Sequence, residues 1–237
     1  MPANAGFTSG TYERRIALSP RATDYRVRFP AATTTDRLGI RRDMLIRPGP
    51  CLSRMSQRTD FAIEILEQGW LRGSDAQHDL CSHGRLLLTI GGQSILDADA
   101  EYGVSETALA LLRTLAQDHT SIDPVAERMV FHGCGAILMM GCPIGVDFSV
   151  RHLAGFVTIA DVVRHDTTSG APNAVFPELS VVLSIADYQR AVLDFARKAR
   201  DPFNSVVKVL DDEFDTRQYR DFWNEFESLH TRFSVSM

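Results

Sequence analysis

An α+β fold, mainly antiparallel sheet of about six to eight short strands in a meander and hairpins with about three helices, is what the sequence predicts. Three observations carry this. Two apolar runs, 86–90 and 93–96, meet at Gly91-Gly92. Four short apolar stretches between 128 and 163 are joined by spacers far shorter than the dozen or more residues of a parallel crossover. Three further segments place apolar residues at helical spacing behind recognisable caps.

Taken in order, Phe61, Ile63 and Ile65 alternate with Ala62 and Glu64, which predicts a half-buried strand ending near Trp70. Arg72 to Gln77 reads as a polar loop. Gly91-Gly92 supplies the two positive φ angles that a two-residue hairpin turn requires. Ser105 is a candidate N-cap for a helix carrying Ala108, Leu111, Leu112 and Leu115 and ending near His119. Strands are expected at 128–132, 136–141, 146–152 and 156–163, then a surface loop over 165–177 and a strand from Leu179 to Leu183. Ser184 with Asp187 makes a box-like start for a helix to about Arg200, with Pro202 just beyond its end. The last helix begins near Asp215 and stacks Tyr219, Phe222, Trp223, Phe226 and Leu229 on one face, a stripe read as core packing.

With 44% hydrophobic and 23% charged residues in 237, the chain is neither collagenous, coiled-coil nor wholly disordered. No apolar run approaches the roughly 18 to 20 residues that span a bilayer. Four cysteines and no opening secretory signal point to a reducing cytoplasm. Charge is divided unevenly. Residues 1–54 hold ten arginines, no lysine and four acids, whereas residues 55–237 hold fifteen basic and twenty-six acidic side chains. The first 54 residues are rich in turn formers and lack periodicity, which reads as a disordered leader or as sequence upstream of a true start at Met55; an arginine-rich arm for nucleic acid, or a transit peptide, is the competing reading. Residues 55–237 are expected to form a single α+β domain. Its acidity disfavours binding to phosphate backbones, and nothing in it suggests a membrane surface. A protein partner remains, and oligomeric state is open.

Chemistry-bearing residues fall in three clusters. Cys81 and His83 lie one residue apart, as do His132 and Cys134. Residues i and i+2 of an extended chain face the same side, so the four could form a Cys2His2 zinc site. Structural zinc sites usually have two to four residues between paired ligands, so the competing reading is cysteines packed as small hydrophobes. Cys142, between Gly141 and Pro143, is a candidate nucleophile, with His132, His152 and Asp147 to supply a base and an orienter. Nothing in the pattern places a helix N-terminus at Cys142 to lower its pKa. Phosphate-loop, dinucleotide and zinc-protease motifs are absent, as are the serine-hydrolase elbow and C-x-x-C. Seven acids from Asp211 to Glu227 make the last helix's outer face negative, suited to solvent or to a basic partner.

The segments Asp79-Leu80-Cys81-Ser82-His83-Gly84, Ile90-Gly91-Gly92, Gly141-Cys142-Pro143 with Gly145, Asp147 and His152, and Phe222-Trp223-Asn224-Glu225 resemble a family of small uncharacterised bacterial proteins with no established activity. The resemblance spans roughly residues 60–228 and implies no catalytic residue. Two functions stay in view. One is a non-enzymatic binding or accessory module, of the toxin-neutralising kind among others. The other is a metal- or thiol-dependent enzyme using Cys81/His83, His132/Cys134 and Cys142/Asp147/His152, with zinc as the cofactor left open. The absence of a catalytic motif favours the first.

Overall fold

The computed structural model describes residues 60–71, 76–96, 99–121, 128–131, 144–165 and 173–235. In chain order these form β1 (Phe61–Ile65), β2 (His83–Gly84), β3 (Leu86–Ile90), β4 (Gln93–Ser94), β5 (Tyr102–Gly103), α1 (Val104–Thr114), β6 (Val130–Phe131), β7 (Gly145–Leu153), β8 (Phe156–His165), β9 (Ala174–Phe176), β10 (Val181–Ser184), α2 (Ile185–Arg200), a 3-10 turn (Asp201–Ser205) and α3 (Glu213–Ser234). The class is α+β, and the strand pairings among the described residues are antiparallel. Ten strands exceed the six to eight expected because several of them are only two residues long. The expected leader over 1–54 and the expected strand over 136–141 lie outside the described residues.

Alternation in β1 and β3 sets their register. Phe61 stands opposite Ile90 and Ile63 opposite Leu88, so the buried sides of both strands coincide. Gly91 and Gly92 turn the chain into β4 at φ 59° and 77°, both in the left-handed region that a side chain would strain. A second sheet runs β10-β8-β7-β6, with β9 also on β8. The two partners on that side of β8 divide it at Asp161, whose φ is 54°: β10 pairs with 156–159 and β9 with 162–164. The segment expected as a loop over 165–177 therefore contains a strand. A small third sheet joins β2 to β5, His83 opposite Gly103.

The helices cover these sheets. Helix α2 packs on β1 and on α1, and α3 packs on both α1 and α2. Phe61 meets Tyr188 of α2 and Phe148 of β7, with ring centroids 5.3 Å and 6.3 Å apart. The Tyr188 hydroxyl is buried and donates to Thr114 Oγ1, since the Thr114 proton already goes to the Leu111 carbonyl. In the expected stripe of α3, Phe222 and Phe226 are buried, while Trp223 and Leu229 are partly covered against the core.

Caps explain the helix boundaries. Ser184 caps α2 as expected, its Oγ accepting from Asp187 N. Helix α3 begins earlier than Asp215 because the Asp212 side chain accepts from Asp215 N. Ser105 is not an N-cap: it lies inside α1, and its hydroxyl instead accepts from the Ser82 amide on the neighbouring segment. Helix α1 stops at Thr114, short of His119, whose backbone bonds reciprocally to Val150 of β7. No helix among the described residues is long and apolar enough to cross a membrane.

Candidate functional site

Among the described residues, three side chains with metal-ligand chemistry converge at one corner. Asp79, Cys81 and His83 alternate along the segment leading into β2, and all three are buried. Cys81 Sγ lies 3.4 Å from His83 Nε2 and 3.9 Å from Asp79 Oδ1, and that oxygen lies 3.4 Å from the same nitrogen. Backbone contacts hold the segment in place. Asp79 Oδ2 accepts from Leu71 N at 2.8 Å, and Oδ1 accepts from Cys81 N at 3.3 Å. His83 exchanges both backbone hydrogen bonds with Gly69. Ser82 donates its amide to Ser105 Oγ and accepts from Val104 N through its carbonyl.

Gly84 closes this corner. A Cβ there would collide with the Glu67 carbonyl, so only glycine lets the 67–69 segment approach β2. On the other side the 206–210 segment straps the 76–79 turn. Val209 N donates to the Gln77 carbonyl, and Lys208 Nζ donates to the carbonyls of Ala76 and Asp79 at 2.7 Å and 2.5 Å. The same ammonium sits 3.3 Å above the centre of the Trp70 ring.

Electrostatics follow from this enclosure. Burial, helped by the charges of Glu106 and Asp79, pushes the Cys81 thiol far up, so it is protonated at neutral pH. Burial also pushes the Asp79 carboxyl up, but hydrogen bonds from His83 and the Leu71 amide outweigh it and hold the group below its ordinary value. Lys208 is lowered to about 8 by burial, against the pull of Asp79 and Cys81. His83 Nδ1 is buried with no hydrogen-bond partner among the described residues, where the ring's polar contacts are on the Nε2 side.

Asp147 and His152, read together from sequence, are not brought together. Asp147 is buried and accepts at Oδ1 from His119 Nε2 at 2.8 Å and from Phe148 N at 3.0 Å. His152 points to Asp118, its Nδ1 donating to Oδ1 at 2.9 Å on the exposed side. His132, Cys134 and Cys142 lie outside the described residues, so the structure tests neither the four-ligand set nor the thiol site. Cys81 and His83 do meet, with Asp79 as a third member that the zinc reading left out. Its signal was present: 79, 81 and 83 share one side of an extended segment. For Lys208 and His119 no local signal exists, since long-range contacts place both.

An open groove lies elsewhere, between the end of α2, the 3-10 turn and α3. It encloses about 430 Å³ and is lined by Arg200, Phe203, Tyr219, Arg220, Trp223 and Asn224, among others. The expected negative face of α3 is partly neutralised. Glu225 is held in two hydrogen bonds by Arg113 of α1, and Glu227 pairs with Arg200 of α2 at 2.6 Å.

No protein-family model matches the chain, nor does any curated protein or solved structure. The case for function therefore rests on residues and their geometry.

Proposed function

We propose that this protein is a non-enzymatic binding module that receives a protein partner in the groove between the 3-10 turn and α3. The observation that supports this is the placement of reactive and adhesive side chains. Asp79, Cys81, His83, Asp147 and His119 are all buried, whereas Trp223, Tyr219 and two arginines line an open concavity. Trp, Tyr and Arg dominate the binding energy of protein interfaces, because they combine large contact area with directed polar groups. Phe203 meets Trp223 at 4.6 Å between ring centroids, giving the groove a rigid aromatic floor. Arg200 is partly used by Glu227, and among the described residues Arg220 has a long 3.6 Å contact with Asp221 alone, so a guanidinium is available to a carboxylate. The partner that fits is a segment with an acidic side chain beside an apolar one.

Tryptophan emission of the full chain, titrated with short acidic peptides that carry an aromatic residue, tests the proposal. A saturable change is expected, weakening with salt and lost in Arg220→Glu while the melting temperature is unchanged. The enzyme reading, where it runs through the Cys81/His83 cluster, needs solvent access to Cys81. Absence of any peptide response, together with rapid labelling of Cys81 by a thiol reagent in the native chain, would replace the binding reading with that one.

A further inference from the structure

We propose that Asp79, Cys81 and His83 are ligands of a zinc ion. The inference is independent of the groove. A tetrahedral ion with bonds of about 2.0–2.1 Å to nitrogen and oxygen and about 2.3 Å to sulfur sets its ligand atoms about 3.3 Å apart, or about 3.6 Å when one is sulfur. The three atoms here stand 3.4, 3.4 and 3.9 Å apart, each edge within about 0.3 Å of that triangle. As a hydrogen bond, 3.4 Å between imidazole nitrogen and carboxylate oxygen is long, well beyond the usual 2.7–2.9 Å of a charge-assisted pair. The atoms are held at ion-sharing distance by the backbone contacts of Asp79 and His83.

Charge points the same way. The Asp79 carboxylate is buried beside the thiol, with Lys208 as the facing cation. Binding adds a Cys81 thiolate to that enclosure, and a divalent cation would balance it. A thiolate, an imidazole and a carboxylate together are a borderline-soft set that suits zinc better than magnesium or calcium, which take oxygen ligands. On binding, the Sγ–H bond breaks, a Sγ–Zn bond forms and the proton leaves to solvent, with no change of oxidation state. His83 would bind through the Nε2 lone pair, its proton residing on Nδ1. Three protein ligands leave the fourth tetrahedral position to a water; with all three ligands buried beside the Lys208 strap, the ion would clip the 69–84 segment to the sheets.

The chain contains three other cysteines, so the decisive protein is the full-length Cys51→Ser/Cys134→Ser/Cys142→Ser variant, which keeps Cys81 as its sole thiol. Titrated with cobalt(II) after chelator treatment, it should develop tetrahedral visible bands and a sulfur-to-cobalt charge-transfer band at about one equivalent, both bleached by added zinc. Cys81→Ser in the otherwise native chain should lack the charge-transfer band. Its absence from the single-thiol variant, or its persistence in Cys81→Ser, would overturn the assignment. If Cys81→Ser does not fold, the single-thiol variant alone still decides, because its band can come from no other thiol.

Discussion

His119 Nε2 and Asp147 Oδ1 meet at 2.8 Å, whereas the same two atom types in His83 and Asp79 stand 3.4 Å apart with Cys81 Sγ beside both. Both pairs are buried, so solvent does not cause the difference. Chain connectivity does. His119 comes from the segment after α1 and reaches β7 through its bridge to Val150, which lets the two side chains close to an ordinary hydrogen bond. Asp79 and His83 lie four residues apart on one segment, with Asp79 already committed to Leu71 N and Cys81 N. Their spacing is therefore set by backbone, not by mutual attraction. One pair is a short contact; the other is a long one with a third ligand atom beside it.

The sharpest way to break this comparison is to measure coupling in both pairs. A double-mutant cycle on His119→Ala and Asp147→Ala should give roughly 1.5–3 kcal/mol, the range for hydrogen bonds to charged groups. Asp147→Ala alone should cost about 3 kcal/mol, since it leaves a buried imidazole without its acceptor. In the chelator-treated chain, the cycle on His83→Ala and Asp79→Ala should give under about 1 kcal/mol and rise when zinc is restored. Equal couplings without metal, read from urea melts, would erase the distinction.

Much of the fold could be read locally, and much of the site could not. The Gly91-Gly92 turn, the Ser184 cap and the α3 stripe are short-range features whose physics is complete within a few residues. The 79–83 alternation is of the same kind, which is why Cys81 and His83 were legible as a pair. Ser105 misled because its hydroxyl serves the amide of Ser82, twenty-three positions away in sequence. Asp147 was paired with His152 by proximity along the chain, but the bulge at Asp147–Ser149 and the strand's two faces send them to different partners. Lys208 is a lone cation among Val206, Val207, Val209 and Leu210, and its role as a strap comes only from contacts to Ala76 and Asp79.

Acidity sharpens the comparison through a second imidazole near Asp147. Burial first, then Arg128, lower His165, while Asp147 pulls it up. Burial likewise lowers His230 on α3, which stacks on Phe226; Glu227 opposes this, and Arg200 and Arg197 add to it. Both folded values lie below the ordinary 6.5, so as pH falls past 6.5 the unfolded chain takes up protons first. The stability these neutral rings contribute is complete above that pH and is lost as pH falls toward their folded values. Urea melts at pH 7 and pH 5 should show a drop that is smaller in His165→Gln/His230→Gln. Asp147→Asn should lower the His165 pKa further, as read by NMR titration; a rise would show that Asp147 does not act on that ring.

The smallest effect is expected where the geometry looks equally good. His152 Nδ1 donates to Asp118 Oδ1 at 2.9 Å, close to the His119–Asp147 distance, and that bond, with one from the His152 amide, lowers the Asp118 carboxyl. The Asp118 side chain is 57% exposed, however, against 1% for Asp147. Water can replace the lost contact on both partners, and ions in solution screen what charge interaction remains. Asp118→Ala should therefore change stability by no more than about 0.5 kcal/mol, as exposed pairs usually do. The comparison with Asp147→Ala holds residue types and distance nearly constant and varies burial alone. A loss above about 1.5 kcal/mol at Asp118 would mean that bond length, rather than enclosure, governs these pairs.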